Sequence, residues 1–306
     1  MNLQNIISEI EKTDPEIYDR LDTRRRTMKK FASFSGKVAL ASLPLAFGSI
    51  LKKAYGQTIP PQVVEVLNFA LTLEYLEAEF YNNVVGLTTT PFPGAMPASP
   101  SAAFNTASAA DKGALTKIRN DENLHVIFLR TALGAAAVAK PKFDFTGGKG
   151  SGNGPFKGYL ASLPVSLAMS QTFEDTGVRA YKGQAGFLQV SRPHLTAALQ
   201  IHSVEARHAA KIREIRRNLG GATIPAGQVV KPWITLAQSG ITTGVAGTDA
   251  AIQKSYAGEE LTTQATVNII GIGGNAFITA AAASESFDEP LTKAVVLDIV
   301  SIFIAP

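Results

Sequence analysis

Four segments of the chain place apolar residues three and four positions apart, the spacing that is typical of helices with a buried face. They cover about residues 61–85, 107–139, 164–186 and 193–219. Pro60 and Pro61 suit the start of the first helix, and Gly220 suits the end of the last. The pattern predicts a mainly α fold built on four long helices.

A long connection, about residues 140–163, separates the second helix from the third and contains the glycine-rich tract 147–154. The tract lacks the spacing of a phosphate-binding loop, and no apolar strand leads into it, so we interpret it as a flexible crossover. About 24 residues at about 3.3 Å each can run back along a helix of this size. The second and third helices can therefore lie parallel, in a four-helix bundle with one long crossover.

Each predicted helix carries a carboxylate where its apolar stripe should be unbroken. These residues are Glu74, Glu122, Glu174 and Glu205. Burying an unpaired carboxylate costs several kcal/mol, so four of them in one core require compensation, which cations supply. Oxygen and imidazole ligands suit iron or manganese, and zinc fits less well.

Two of these carboxylates belong to Glu-x-x-His motifs, which place an imidazole one helical turn from the carboxylate. The predicted metal ligands are therefore Glu74, Glu122, His125, Glu174, Glu205 and His208. The order Glu, Glu-x-x-His, Glu, Glu-x-x-His is the ligand pattern of di-iron and di-manganese bundles. It predicts two iron or manganese ions held between the four helices.

The two halves of the predicted bundle repeat each other. Glu74 is followed seven positions later by Tyr81, and Glu174 in the same way by Tyr181. Each tyrosine would lie near the ions, as a hydrogen-bond partner or as a redox-active phenol. Glu77 also faces the apolar side and is the alternative ligand on the first helix, but only Glu74 shares the register of Glu174 and Tyr181.

Three further polar residues lie on these helices. His202, one turn before Glu205, is an extra ligand, a partner of a ligand or, by preference, a hydrogen-bonded histidine of the core. Glu79 falls on the polar stripe and should be solvated. His194, near the start of its helix, should be structural or exposed.

The segments Asn68–Tyr81, Asp121–His125, Phe173–Gly177 and Val204–His208 resemble the four helices of bacterial ferritin-like domain proteins related to plant desiccation-related proteins. The resemblance covers about residues 60–220. It implies a four-helix bundle with a dinuclear metal centre, as in the ferritins, bacterioferritins, rubrerythrins and manganese catalases of the wider superfamily. It does not select among their reactions, since one fold hosts many.

Composition narrows the function classes. The 306 residues include no Cys, which excludes disulfides, thiolate metal sites and a Cys nucleophile. Residues 1–57 hold ten Lys and Arg against six Asp and Glu, and the rest of the chain is balanced, so the net charge of +4 belongs to this segment. Because the chain after residue 57 has no excess of basic residues, we expect no nucleic-acid partner.

The N-terminal segment resembles an export signal. A basic region around Arg24 and Arg25 precedes the apolar stretch 38–51 and small residues before Gln57. The arginines resemble a twin-arginine signal, although Thr27 stands where that motif usually has Phe. The segment predicts export to the periplasm or cell envelope, with a mature chain that starts near Gln57. The alternative is a retained amphipathic helix that packs on the domain or anchors it to a membrane.

We therefore predict three regions: an export-signal-like segment at 1–57, the bundle at 58–221, and a C-terminal extension at 222–306 that packs on the bundle. The extension is rich in Thr, Gly, Ala and Val and carries no motif. Within it, Asp288–Pro290 can start a short terminal helix, and the Ala-rich run 279–283 can be helical.

These observations favour a di-metal protein that acts on dioxygen, hydrogen peroxide or Fe(II) in oxidative or desiccation stress. If it is an enzyme, it resembles peroxidases, catalases or ferroxidases. The alternative is a non-catalytic structural, stress-protective or interaction module with structural metal or none. Iron storage in a cage is a third hypothesis, which the long C-terminal extension disfavours. The expected partners are metal ions and small oxidants, and a homo-oligomer is left open.

Overall fold

The computed structural model describes residues 59–221 and 223–306. The first part of this chain forms five helices: α1 (Pro61–Val85), α2 (Ala102–Thr106), α3 (Ala109–Leu133), α4 (Leu163–Ala185) and α5 (Arg192–Leu219). Short 3-10 turns follow α3 at Gly134–Ala136 and α4 at Gly186–Leu188. The four long helices correspond to the four predicted ones.

Local sequence sets the ends of the second bundle helix, α3. It begins after Ser108, whose hydroxyl accepts a hydrogen bond from the N–H of Asp111. It ends at Leu133, although the sequence predicted an end near residue 139. The reason is Gly134, which has a positive φ of 56° and so interrupts the helix.

The bundle consists of two helix pairs, α1 with α3 and α4 with α5. Asn82 on α1 is hydrogen-bonded to Asn123, and Asn68 to the carbonyl of Ala136 after α3, so these two helices are antiparallel. The contacts between α1 and α4, given below, are antiparallel too. The helices α3 and α4 therefore run parallel, and the predicted four-helix bundle with a long crossover between its second and third helices is confirmed.

The glycine-rich tract of the crossover is folded around one carboxylate. Asp144 accepts hydrogen bonds from the backbone N–H groups of Thr146, Gly150 and Gly152 at 2.9–3.0 Å. The adjacent Phe145 is buried in the core. A carboxylate that accepts three backbone hydrogen bonds fixes the surrounding turns. The prediction of a flexible connection is therefore wrong for this tract, which is a defined loop.

Residues 223–306 form shorter elements. They are the helices α6 (Ala246–Gln253), α7 (Ala280–Ser284) and α8 (Lys293–Val300), and the paired antiparallel strands β1 (Thr263–Gln264) and β2 (Val267–Asn268). The helix α7 confirms the one predicted for the Ala-rich run. The terminal helix α8 starts later than predicted, because the side chain of Thr292 caps it by accepting the N–H of Val295.

The buried Arg179 of α4 holds the C-terminal region against the bundle. Its guanidinium donates hydrogen bonds to the backbone carbonyls of Ser255, Ala257 and Glu289 at 2.6–2.7 Å. It also pairs with the carboxylate of Glu259 at 2.7 Å, and both side chains of this ion pair are only 1% exposed. The C-terminal region therefore packs on α4 through hydrogen bonds and an ion pair that are buried away from solvent.

The main core lies between the bundle helices and continues under the crossover and α8. Among its fully buried large side chains are Phe80, Tyr81, Leu167 and Tyr256. Within the described part of the chain, no helix combines the length and the apolar character that crossing a bilayer requires.

Candidate metal centre

The six predicted ligands converge near the middle of the bundle helices. They come from α1 (Glu74), α3 (Glu122 and His125), α4 (Glu174) and α5 (Glu205 and His208). All four carboxylate residues have no solvent exposure, and the side chain of His125 is 11% exposed. The periodic placement of these residues within apolar stripes therefore brings them to one buried point.

The cluster contains two groups of residues, and within each group the potential ligand atoms all lie within 4.8 Å of one another. One group is Glu74, Glu122, His125 and Glu205, and the other is Glu122, Glu174, Glu205 and His208. Glu122 and Glu205 belong to both groups, whereas each of the other ligands belongs to one. The cluster is thus a pair of overlapping groups joined by two shared carboxylates, and it could hold a metal ion.

Both imidazoles present the same nitrogen to the carboxylates. Nδ1 of His125 lies 3.1 Å from Glu74 Oε2, 3.1 Å from Glu122 Oε2 and 3.2 Å from Glu205 Oε1. Nδ1 of His208 lies 2.7 Å from Glu122 Oε1. Each histidine therefore points its Nδ1 at the carboxylate oxygens with which it would share a cation.

Several buried atoms of the cluster make ion-pair contacts at most, and none of them has a partner with hydrogen-bond geometry. They are Glu122 Oε1, Glu174 Oε2, both carboxylate oxygens of Glu205 and Nδ1 of His208. A buried polar atom left in this state costs about 1–3 kcal/mol. A cation in contact with these oxygen and nitrogen atoms would satisfy them, and the donor set is one that iron and manganese accept. The residues present therefore fit a metal ion.

Burial and mutual charge shift the pKa values of the cluster. Burial raises the pKa of Glu74 to about 7 although His125 opposes it, and burial with the charge of Glu122 raises the pKa of Glu205. Burial would also raise the pKa of Glu122, but His125 and His208 keep it below its ordinary value. The pKa values of both histidines are raised, because the carboxylates outweigh burial. Without metal the cluster therefore retains protons that a cation would displace.

The two predicted tyrosines connect the halves of the bundle. Tyr81 on α1 donates a hydrogen bond of 2.6 Å to Oε1 of Glu174 on α4, and Tyr181 on α4 donates one to Oε1 of Glu74 on α1. Burial raises the pKa of each phenol well above its usual value, and the acceptor carboxylate raises it further. Both tyrosines therefore contact predicted ligands as neutral donors, and a redox role for them stays a prediction.

Asp121 belongs to this site, and the sequence analysis missed it. Its Oδ2 lies 3.2 Å from Nε2 of His208, and it also pairs with Lys117. A carboxylate on the second nitrogen of a histidine fixes the orientation and tautomer of the ring. The signal was present in the sequence, because Asp121 directly precedes one Glu-x-x-His motif, whereas Val204 precedes the other.

The remaining polar residues lie outside both groups. His202 is half-buried and its Nδ1 has no hydrogen-bond partner, so the prediction of a hydrogen-bonded core histidine is wrong at this nitrogen. Glu79 forms an ion pair with Lys140 and is only 23% exposed, so it is less solvated than predicted. His194 is buried, and its Nδ1 is hydrogen-bonded to the hydroxyl of Ser191 at 2.7 Å, which is a structural role.

Glu77 is a fifth buried carboxylate beside the cluster and belongs to neither group. Burial raises its pKa well above the usual value, and the charges of Glu205 and Glu122 raise it further. Of the two alternatives on α1, only Glu74 contributes to a group of potential ligand atoms.

The fold and this cluster define a class: a four-helix bundle whose buried glutamate and histidine side chains could hold metal. Comparison of the sequence with protein families agrees, since the family model for the ferritin-like domain matches residues 62–218, more than half of the chain. The chain belongs to the ferritin-like domain family. No curated protein and no solved structure gives a significant match to it.

Proposed function

We propose that this protein binds two iron or manganese ions between its four bundle helices and uses them in redox chemistry on dioxygen, hydrogen peroxide or Fe(II). The observation that carries the proposal is the pair of overlapping ligand groups, joined by Glu122 and Glu205. Four buried carboxylates would balance the charge of two divalent cations. Zinc suits the cluster less well, since structural zinc sites are closed tetrahedra that favour Cys and His.

The side chains around the cluster support a defined arrangement of ligands. Each of Glu74 and Glu174 gives one oxygen to a tyrosine hydroxyl and turns the other toward a histidine, at 3.1 Å from His125 and 3.4 Å from His208. One oxygen is therefore held in place while the other stays available to a cation. Iron or manganese bound here would supply one-electron steps toward dioxygen or peroxide.

Metal content tests the first half of the proposal. Elemental analysis of the purified protein should give two iron or manganese ions per chain. Glu122→Ala and His208→Ala should each lower this content by at least half, because each removes a donor atom from the cluster. Glu79→Ala is the matched control outside the cluster and should keep both ions, because Glu79 pairs with Lys140 and contributes to neither ligand group. Equal metal content in all three variants would refute the ligand assignment.

A second candidate function is a non-catalytic domain with structural metal. The complete burial of the four carboxylates favours it, because an enzyme must admit its substrate. Consumption of peroxide or dioxygen, or oxidation of added Fe(II), by protein that holds two ions would support catalysis. Two tightly bound ions without any turnover would instead support the structural role.

We also propose a location in the cell for this protein. The export-signal-like segment 1–57 lies outside the described residues, so the proposal of a periplasmic or envelope protein in oxidative or desiccation stress rests on the sequence. The intact mass of protein from the exported fraction should correspond to a chain that starts near Gln57. A full-length chain found only in the cytoplasm would contradict export.

A further inference from the structure

The internal repeat of the bundle is broken at one position that faces the cluster. The spacing that relates Glu74 to Glu174 and Tyr81 to Tyr181 also relates Glu77 to residue 177, which is glycine. One half of the bundle therefore has a carboxylate where the other half has no side chain.

The structure shows where the missing side chain would lie. A Cβ atom built on Gly177 would be 3.2 Å from Oε1 of Glu77 and 3.4 Å from Oε2 of Glu205. These contacts are tight, so any larger residue at 177 would push against both carboxylates. Glu77 therefore reaches across from α1 to α4, into the space that the glycine leaves, and comes to lie beside Glu205.

The surroundings of Glu77 are those of a ligand more than of a structural carboxylate. It is 3% exposed, and of the two buried oxygens of Glu205, beside it, Oε1 contacts His125 at 3.2 Å whereas Oε2 has no hydrogen-bond partner. Burial raises the pKa of Glu77, and the charges of Glu205 and Glu122 raise it further. A buried carboxylate among acidic neighbours is costly unless a cation compensates it.

We propose that Glu77 is a seventh protein ligand of the metal centre, which acts beside the shared carboxylate Glu205, and that glycine at position 177 admits it. This inference rests on the proposed function. With neutral histidines, four carboxylates balance two divalent cations, and a fifth balances the additional charge of one trivalent ion. Glu77 therefore favours the oxidised metal pair and makes its two ions inequivalent.

The test compares Glu77→Gln with Glu79→Gln, a matched control on the same helix, in the full chain. Metal-free protein is titrated with Mn(II), and free Mn(II) is followed by electron paramagnetic resonance. The wild type should bind two equivalents of Mn(II), and the control should bind each equivalent with the affinity that the wild type shows for it. In Glu77→Gln the affinity for at least one equivalent should fall tenfold or more. Its metal-free melting temperature should stay equal or rise, because the amide has the size of the carboxyl group and carries no acidic proton to lose.

A second variant approaches the same contact from α4. Gly177→Ala should weaken Mn(II) binding in the same direction and to a smaller extent, because the added methyl group displaces the carboxylates of Glu77 and Glu205. Wild-type affinities for both equivalents in Glu77→Gln would overturn the inference and leave the proposed function standing. A lower metal-free melting temperature together with metal loss would make Glu77 a structural residue and overturn it too. Absence of binding by the wild type would overturn the proposed function itself.

Discussion

The stability of the metal-free protein should fall as the pH rises, and Glu74 provides the clearest measure of this effect. Its pKa is raised from the ordinary value of 4.5 to about 7, chiefly by burial. A carboxyl group with a raised pKa in the folded state stabilises the fold below its unfolded pKa, and this contribution is lost as the pH rises through the folded pKa. The window for Glu74 is therefore about pH 4.5 to about pH 7.

The size of the effect follows from the same two values. At about 1.4 kcal/mol for each pKa unit, the difference between 4.5 and about 7 corresponds to about 3 kcal/mol of unfolding free energy. His125 and His208 act in the same direction above about pH 6.5, because their pKa values are raised and the folded state keeps protons that the unfolded chain releases. The lowered pKa of Glu122 matters only in acid, below about pH 4.5.

Urea unfolding in the presence of a chelator measures this dependence. From about pH 5 to about pH 8, the free energy of unfolding should fall by about 3 kcal/mol or more. Glu74→Gln should show a smaller fall, since it removes one titrating group, and Glu79→Gln should follow the wild type. With saturating Mn(II) the dependence should disappear or reverse, because cations compete with the retained protons. A metal-free stability that stays flat or rises over this range would refute the reasoning.

Three further predictions concern individual contacts. Tyr81→Phe and Tyr181→Phe each remove one hydrogen bond, of about 0.5–1.5 kcal/mol, to a predicted ligand. Calorimetric titration of each variant should show a threefold to tenfold weaker metal affinity, and its circular dichroism spectrum should be unchanged. Asp121→Asn should weaken binding by about tenfold to a hundredfold, because it loosens the ring of His208; unchanged affinity would count against that role. Arg179→Met should destabilise the fold by about 3–5 kcal/mol by leaving a buried carboxylate unpaired, and rapid proteolysis of the C-terminal region should accompany the lower denaturation midpoint.

The bundle and the cluster could be predicted from sequence because their signals are local. A carboxylate inside an apolar stripe, such as Glu122, is costly to bury however the helix packs. His125, one turn later, lies on the same face in any α-helix. Four helices that each carry such a carboxylate can pack in few ways that let all four carboxylates share compensating charge. The order of helices and the resemblance of their motifs therefore predicted which side chains meet.

Other features of the fold and the site could not be predicted, because they depend on tertiary contacts that the spacing of residues along the chain does not encode. The hydrogen bonds of Tyr81 and Tyr181 to the glutamate of the opposite half follow from the antiparallel packing of α1 against α4. The anchoring of the C-terminal region by Arg179 depends on backbone carbonyls more than 70 residues away. A helical stripe alone also could not separate Glu74 from Glu77, because both face inward. The internal repeat favoured Glu74, and in the structure Glu74 belongs to a ligand group whereas Glu77 lies against Gly177.

Departures from the internal repeat carry more information about function than the repeat itself. Two halves with identical ligands would give two equivalent ions, with no reason for one to be oxidised or exchanged before the other. Two acidic residues beside the cluster depart from the repeat: Asp121 lies against His208 where the other motif has Val204, and Glu77 occupies the space that Gly177 leaves. Both add an acidic side chain, and neither has an acidic counterpart in the other half. If the centre binds two ions, this asymmetry predicts two different affinities, and a titration that fits two identical, independent sites would contradict it.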